Sequence, residues 1–386
     1  MNEPLDVAIV GAGIVGLAHA WSAAERGHRV TIFERSSRAA GASIRNFGMI
    51  WPIGQPAGEL RDTALLSRRR WLQLADEAEV WVRECGSIHL AHQADEWAVL
   101  EEFHAHASEQ GIECQLLAPA EVAKHTPAAN LTGLIGGLFS TTELCVNPVA
   151  AVRSIPHWLK QRYRVQVALD TEVISIKVNE RARASIALQT SRGVQHDFDR
   201  VVICGGIEFQ TLFPESFTQS GLKVCKLQMM KTVSQAGGWR IGMHLASGLT
   251  QRHYRNFEVC PSLAAVKERV ARESPQLDRY GIHVMASQND AGEVILGDSH
   301  EYGDDIEPFD KAEIDDLMLR ELRKVFSLPD WTIAARWHGL YAKHPILPVF
   351  EAEPLPHVHV CTGTGGAGMT MSFGLAERMW QRWSAD

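Results

Sequence analysis

The chain has 386 residues, 45% of them hydrophobic and 22% charged, with a net charge of −8. That length exceeds one ordinary core and implies a large two-lobed unit or two domains. The acidic balance without a basic block argues against nucleic acid as a partner, and no run approaches the roughly 18 apolar residues of a membrane span.

In chain order, Val7–Val10 reads as a short buried strand, Gly11-Ala12-Gly13-Ile14-Val15-Gly16 as a turn, Leu17–Arg26 as a helix ending at Gly27, and Arg29–Phe33 as a second strand ending at Glu34. This is a βαβ unit and implies a parallel sheet. Arg61–Glu84 reads as one long helix with Trp71 and Trp81 in the core. Gly86–Ala91 reads as a strand, and Ala94–Ser108 and Ala118–His125 as helices. A helix is expected over Asn147–Arg162 despite Pro156, and strands over Val165–Leu169 and Glu172–Val178. Ala184–Thr190 and Gln195–Phe198 form a hairpin pattern, and Arg200–Cys204 is again a buried strand. From Leu222 to about Arg336 the pattern is antiparallel, with strands Lys223–Val233, Gly281–Ser287 and Glu293–Gly297 and helices Ser262–Arg272 and Asp310–Phe326. Val358–Cys361 is a last apolar strand, followed by Gly363-Thr364-Gly365-Gly366-Ala367-Gly368 and a closing helix, Met369–Trp383.

The expected fold is therefore α/β with an α+β second lobe. A discontinuous nucleotide-binding domain (1–84, 145–212 and 338–386) carries the parallel sheet, and an interleaved substrate domain (85–144 and 213–337) carries a large antiparallel one. The seven cysteines are scattered without a CxxC pair, as expected of reduced thiols in the cytoplasm. Val7–Val10 follows Glu3 and Asp6, not a basic segment, so no targeting sequence is expected. His104 and His106 diverge on a helix and no other metal spacing occurs, so no metal is expected.

Gly11 permits a tight turn, Gly13 lets backbone approach a pyrophosphate, and Gly16 lets the helix pack on the strand. The helix N-terminus then offers free N–H groups to the phosphates. Glu34 stands 18 positions beyond Gly16, where it can accept hydrogen bonds from ribose hydroxyls. These residues point to a dinucleotide. The second glycine loop, after a buried strand and before a helix, points to a second contact at the reactive end of a long cofactor.

Three further segments complete a pattern: Ala42-Ser43-Ile44-Arg45-Asn46-Phe47-Gly48-Met49, Val201-Val202-Ile203-Cys204-Gly205-Gly206, and Trp337-His338-Gly339-Leu340-Tyr341. Their order resembles the D-amino-acid oxidase superfamily of flavoproteins, which includes glycine and sarcosine oxidases, over nearly the whole chain. The resemblance implies FAD, with Arg35, Ala42, Ser43, Arg45, Asn46, Phe47, Gly48, Met49, Val173, Cys204, Gly205, Gly206 and Gly339 beside it. It also implies that Gly363, Gly365, Gly366, Ala367, Gly368, Met369 and Thr370 run along its flavin end. Sarcosine oxidases tether the flavin through a Cys before the Tyr-bearing segment; Gly339-Leu340-Tyr341 has none, so non-covalent FAD is expected. Amino-acid oxidases place a carboxylate-holding Arg in this region; Tyr341-Ala342-Lys343-His344-Pro345 has none, which argues against a plain α-amino acid.

The stretch Arg45–Pro56 further resembles a subgroup associated with phosphonate breakdown, acting on 2-aminoethylphosphonate and its N-methyl derivatives to give phosphonoacetaldehyde. The expected chemistry is hydride transfer from the carbon beside a neutral amine, then imine hydrolysis, with positioning residues and no strong base. The anion of the substrate requires cations: Arg45, Arg252, Arg255, Lys343 and His344 are candidates, with Tyr254 and Tyr341 as further candidate catalytic residues and Trp51, Phe47 and Met49 as pocket walls. If Gln251–Arg255 is a strand, Arg252 and Tyr254 share a face. Lys343 alternatively assists O2. A carboxylate-amine oxidase, a dehydrogenase with another electron acceptor, and a non-catalytic dinucleotide-binding protein remain as alternatives.

Overall fold

The computed structural model describes residues 3–179 and 185–383; Ala184, the expected start of one hairpin strand, lies outside them. Its organising element is a six-stranded sheet in the order Phe350–Leu355, Val358–Thr362, Arg200–Ile203, Asp6–Val10, Arg29–Phe33, Gln166–Ala168. All neighbours are parallel except the edge pair Phe350–Leu355 and Val358–Thr362. Val7, Ala8 and Ile9 are completely buried, as a parallel strand covered on both faces requires.

The cover on one face is helical. Helix Ile14–Glu25 is Ala-rich and almost wholly buried, and Trp21 packs edge-on against Trp158 and Phe373, with ring centroids 5.0 and 5.4 Å away. The closing helix Gly368–Trp383 lies between this helix and Glu59–Ala78. A Cβ on Gly374 would stand 2.0 Å from the Thr63 carbonyl oxygen, so the two helices touch backbone to backbone. Trp71 Nε1 donates to Met369 O at 2.9 Å, tying the helix Glu59–Ala78 to the start of the closing one. Truncating Trp21 or Trp71 to Ala would cost about 3–5 kcal/mol.

The second lobe is a nine-stranded sheet, in which Lys223–Ser234 pairs with Ile333–Lys343, Glu293–Gly297 and Glu301–Gly303. It continues through Met285–Gln288, His244–Ala246, Ser87–Ala91, Gly136–Ser140 and Gln115–Leu117. Its pairs are antiparallel apart from His244–Ala246 against Ser87–Ala91. Strand Ile333–Lys343 runs continuously through position 337/338, where the sequence suggested a domain boundary. It carries the antiparallel sheet to the second glycine loop, which it meets at an isolated bridge, Lys343 to Thr364.

Two expectations are corrected. The helix expected over Arg61–Glu84 ends at Ala78: Glu79 turns left-handed (φ 51°), its N–H capping Leu74 O, and Val82–Glu84 becomes a strand paired with Leu144–Val146. Trp71 is fully buried, whereas Trp81 is half-buried. The segment Gln251–Arg255 is no strand; it joins two 3-10 turns, Gly248–Arg252 and Arg255–Val259. All seven cysteines are free, and no helix among the described residues is long and apolar enough to cross a membrane.

Candidate active site

A cavity of about 690 Å³ runs between the two lobes, from the first glycine loop to the second. That is ample for a ligand larger than a metabolite. At its outer end, the strand Asp6–Val10 delivers the chain into Gly11, whose φ of +105° belongs to glycine. A Cβ at Gly16 would stand 1.9 Å from Gly11 O, so Gly16, which lies outside this cavity's lining, lets helix and loop close together. The helix starting at Ile14 has no side-chain cap of its own; instead Ser43 Oγ accepts from Ile14 N at 2.9 Å. Gly13, Ile14, Val15, Ala42 and Ser43 all line the cavity.

Glu34 sits at the end of strand Arg29–Phe33, its carboxylate accepting from Ala12 N (3.0 Å) and Ser36 N (3.1 Å). The two contacts fix it at the mouth of the glycine loop. Arg35 is beside it but pairs with Glu208 at 2.8 Å. Val173, Cys204, Gly205 and Gly206 complete this end. Asn46 braces the 3-10 turn Ala42–Ile44 by donating to Ala42 O and Ser43 O and accepting from Gly48 N. Gly48 lies outside the cavity, pressed against Val146 O.

At the inner end the second glycine loop (Gly363, Gly365, Gly366, Ala367, Gly368), with Met369 and Thr370, abuts strand Ile333–Lys343: Gly365 faces the Lys343 side chain and Gly366 the Tyr341 hydroxyl. The 16-residue helix behind it turns its N-terminus to the cavity, a favourable place for developing negative charge. Trp51 is buried, its backbone N–H donating to Thr370 Oγ1 at 2.9 Å, and it walls this end with Phe47, Met49 and Tyr254. Arg45 donates to His338 O at 3.2 Å, and its own carbonyl packs over Gly339.

The fold disposes of the cationic candidates differently. Arg45, Arg255, Lys343 and His344 line the cavity. Lys343 donates to the Tyr302 hydroxyl at 3.1 Å, and burial holds its pKa below the ordinary lysine range. His344 caps a turn, its Nδ1 accepting from Ile346 N and Leu347 N. Arg255 donates to Ile346 O near the surface. Arg252 is the correction: it turns away, ion-paired with Asp278 and donating to Ile282 O at 3.0 Å, and does not line the cavity. Its strand-based pairing with Tyr254 fails because the segment is a turn.

Sequence reasoning missed the most concentrated chemistry. His253, His283, His300, Asp298 and Tyr302 line the inner end. One ring nitrogen from each of His253, His283 and His300 lies within 4.8 Å of the others, and His283 stacks on His300 at 5.1 Å and 11°. Asp298 Oδ1 is 3.1 Å from His283 Nε2, and Oδ2 is 3.8 Å from His300 Nε2. Burial pushes Asp298 up to about 8 and His300 down to about 4. Burial, then the neighbouring histidines, Arg252 and Lys343, holds His253 and His283 well below the usual range. The one available signal was the polar run Asp298-Ser299-His300 directly after an apolar strand, with His283 two residues before that strand's antiparallel neighbour, Met285–Gln288.

The DAO sequence family, described as FAD dependent oxidoreductase, matches residues 6–382. A glycine oxidase of Geobacillus kaustophilus is 31% identical over 147 residues, which span 36% of this chain and 39% of that protein. Among solved structures, glycine oxidase from Bacillus cereus superposes with a TM-score of 0.77 at 19% identity, over 99% of this chain and 95% of that one. L-proline dehydrogenase from P. horikoshii gives 0.77 at 18% identity, over 100% and 94%.

Proposed function

The chain belongs to the DAO family of FAD-dependent oxidoreductases, and from that premise we propose that it oxidises a small anionic amine, 2-aminoethylphosphonate or its N-methyl derivative. The residues fit FAD: the Gly11–Gly16 cradle and Glu34 suit the adenosine diphosphate half, and the Gly363–Gly368 loop with its helix N-terminus suits the flavin half. With no Cys in Gly339-Leu340-Tyr341, FAD is held non-covalently; denaturation should release it into the supernatant.

The observation that carries the substrate reading is that Arg45 and Lys343, both lining the cavity, have no carboxylate partner among the described residues. Cations held in a cleft without counter-ions suit an anionic ligand. FAD, when bound, supplies the hydride acceptor. The chain's residues do the rest. Arg45 and Lys343 hold the anion. Trp51, Tyr254 and Tyr341 exclude water and orient the amine-bearing carbon. The same cations, in a desolvated site, favour a neutral amine over an ammonium group. The substrate loses hydride from carbon, and water hydrolyses the imine to phosphonoacetaldehyde and an amine. The charge of Lys343 also suits the anion formed when O2 takes up an electron, which favours an oxidase over a dehydrogenase.

The test is aerobic peroxide release and anaerobic flavin bleaching with N-methyl-2-aminoethylphosphonate, sarcosine and glycine. The phosphonate should bleach the flavin at the lowest concentration. A preference for sarcosine or glycine would move the reading to a carboxylate amine. Bleaching without peroxide would mark a dehydrogenase.

A further inference from the structure

Resting on the reading of this chain as an amine oxidoreductase, we propose that Asp298 accepts the proton a substrate ammonium group must lose before its neighbouring carbon can be oxidised, with His283 and His300 positioning the carboxylate. Among the described residues, four carboxylates line the cavity. Three gather at the adenosine end: Glu34 in the glycine-loop mouth, Glu208 paired with Arg35, and Glu172 beside Val173. Asp298 alone stands at the inner end, among Lys343, Tyr341 and the three histidines. A zwitterionic substrate brings two charges there, and the cations can answer only its anion. Asp298 is the group that can answer its ammonium.

The local packing suits a proton acceptor. Asp298 follows strand Glu293–Gly297 and is locked by reciprocal backbone bonds with His283, Asp298 N to His283 O at 2.9 Å and His283 N to Asp298 O at 3.2 Å. Its Oδ1 is buried without a well-aligned hydrogen bond, as are His283 Nδ1 and His253 Nε2. A buried acceptor left in this state is unfavourable, and a substrate donor would satisfy it. The groups facing it are His283, His300 and, tilted against His283, His253. Tyr254 from the turn region, Tyr302 and Cys225 from flanking strands, and Tyr341 and Lys343 from Ile333–Lys343 complete the surround. In the step itself the ammonium N–H bond breaks, its electron pair stays on nitrogen, and the proton bonds to Asp298 Oδ1. A neutral amine and a neutral carboxylic acid result, with no redox change. An acceptor titrating near the working pH does this best, and burial sets Asp298 at about 8.

The test compares wild type and Asp298→Asn, both loaded with FAD, by anaerobic flavin reduction across pH. The ionised carboxylate is the active form, so the wild-type kcat/KM should fall as pH drops through about 8. The variant should be slower by about 10²-fold or more near neutral pH and should recover as pH rises and the free amine forms in solution. Alkaline loss of the Lys343 charge affects both proteins and cancels in their ratio. A carboxylic-acid infrared band that titrates in wild type and is missing from Asp298→Asn gives a readout independent of turnover. A deficit of the same size at every pH would assign Asp298 a structural role and overturn the proposal. Activity lost to a chelator and restored by Zn²⁺ would make the histidine cluster a metal site and overturn it too. Absence of flavin reduction by any amine in wild type would overturn the parent reading itself, whereas reduction by amines with an unaltered Asp298→Asn profile overturns this step alone.

Discussion

The two ends of the cavity are built by opposite means. At the adenosine end the working groups are backbone and glycine: Gly11 in a left-handed turn, Gly16 against Gly11 O, and a Glu34 carboxylate already held by two amide N–H groups. At the inner end the working groups are side chains with open valences: among the described residues, His253 Nε2, His283 Nδ1 and Asp298 Oδ1 lack aligned partners and Lys343 has no counter-ion. One end is complete before anything binds and suits a resident cofactor. The other has binding capacity to spare and suits a ligand that comes and goes.

The largest effect that tests this contrast is at Gly16. A side chain there meets Gly11 O at 1.9 Å, so Gly16→Val should cost more than about 4 kcal/mol and yield colourless or insoluble protein; a yellow, active variant would break the contrast at its rigid end. Lys343→Met should lower kcat/KM for the anionic amine by about 10–100-fold, the worth of one charge-assisted bond, while leaving the flavin spectrum intact. Lys343 also carries a pH signature. Its pKa is depressed by burial, and the anion-holding form is the protonated one. KM should therefore rise as pH climbs through a point below the ordinary lysine range, and the rise should vanish in Lys343→Met. Glu34→Gln should weaken FAD about 10-fold, read by fluorescence titration, without altering KM for the amine. The smallest effect belongs to Arg252. Its guanidinium faces Asp278 and not the cavity, so Arg252→Met should lower Tm by about 2 °C and change kcat/KM by less than about 3-fold. A larger kinetic loss would return Arg252 to the site.

The same contrast explains what the sequence disclosed. A βαβ unit with its glycines and acid occupies residues 6–34, so the phosphate cradle and Glu34 are local in the chain and each residue type has one physical reason to be there; Val173, Cys204, Gly205 and Gly206 join this end from farther along. Gly363–Gly368 was legible for the same cause, standing between a buried strand and a helix. The inner end is assembled from residues near 253, 283, 298–302 and 341–343, which only the antiparallel pairing of Met285–Gln288 with Glu293–Gly297, and of Lys223–Ser234 with Glu301–Gly303 and Ile333–Lys343, brings together. Isolated histidines carry no spacing signal, so His253, His283 and His300 read as scattered. Arg252 was misplaced because alternation was assumed in a segment that turns, and the helix over Arg61–Glu84 was drawn too long because nothing in its polarity marks the reversal at Glu79.

The central claim is that the inner end takes an anionic amine against FAD. It is tested most directly by anaerobic flavin bleaching with N-methyl-2-aminoethylphosphonate beside an amine of the same length that lacks the anion, N-methylpropylamine. The phosphonate should bleach the flavin, and the amine without the anion should be poorer by at least about 10²-fold in kcat/KM, the loss of two charge-assisted contacts. Equal bleaching by the two amines, or none by either, would contradict it.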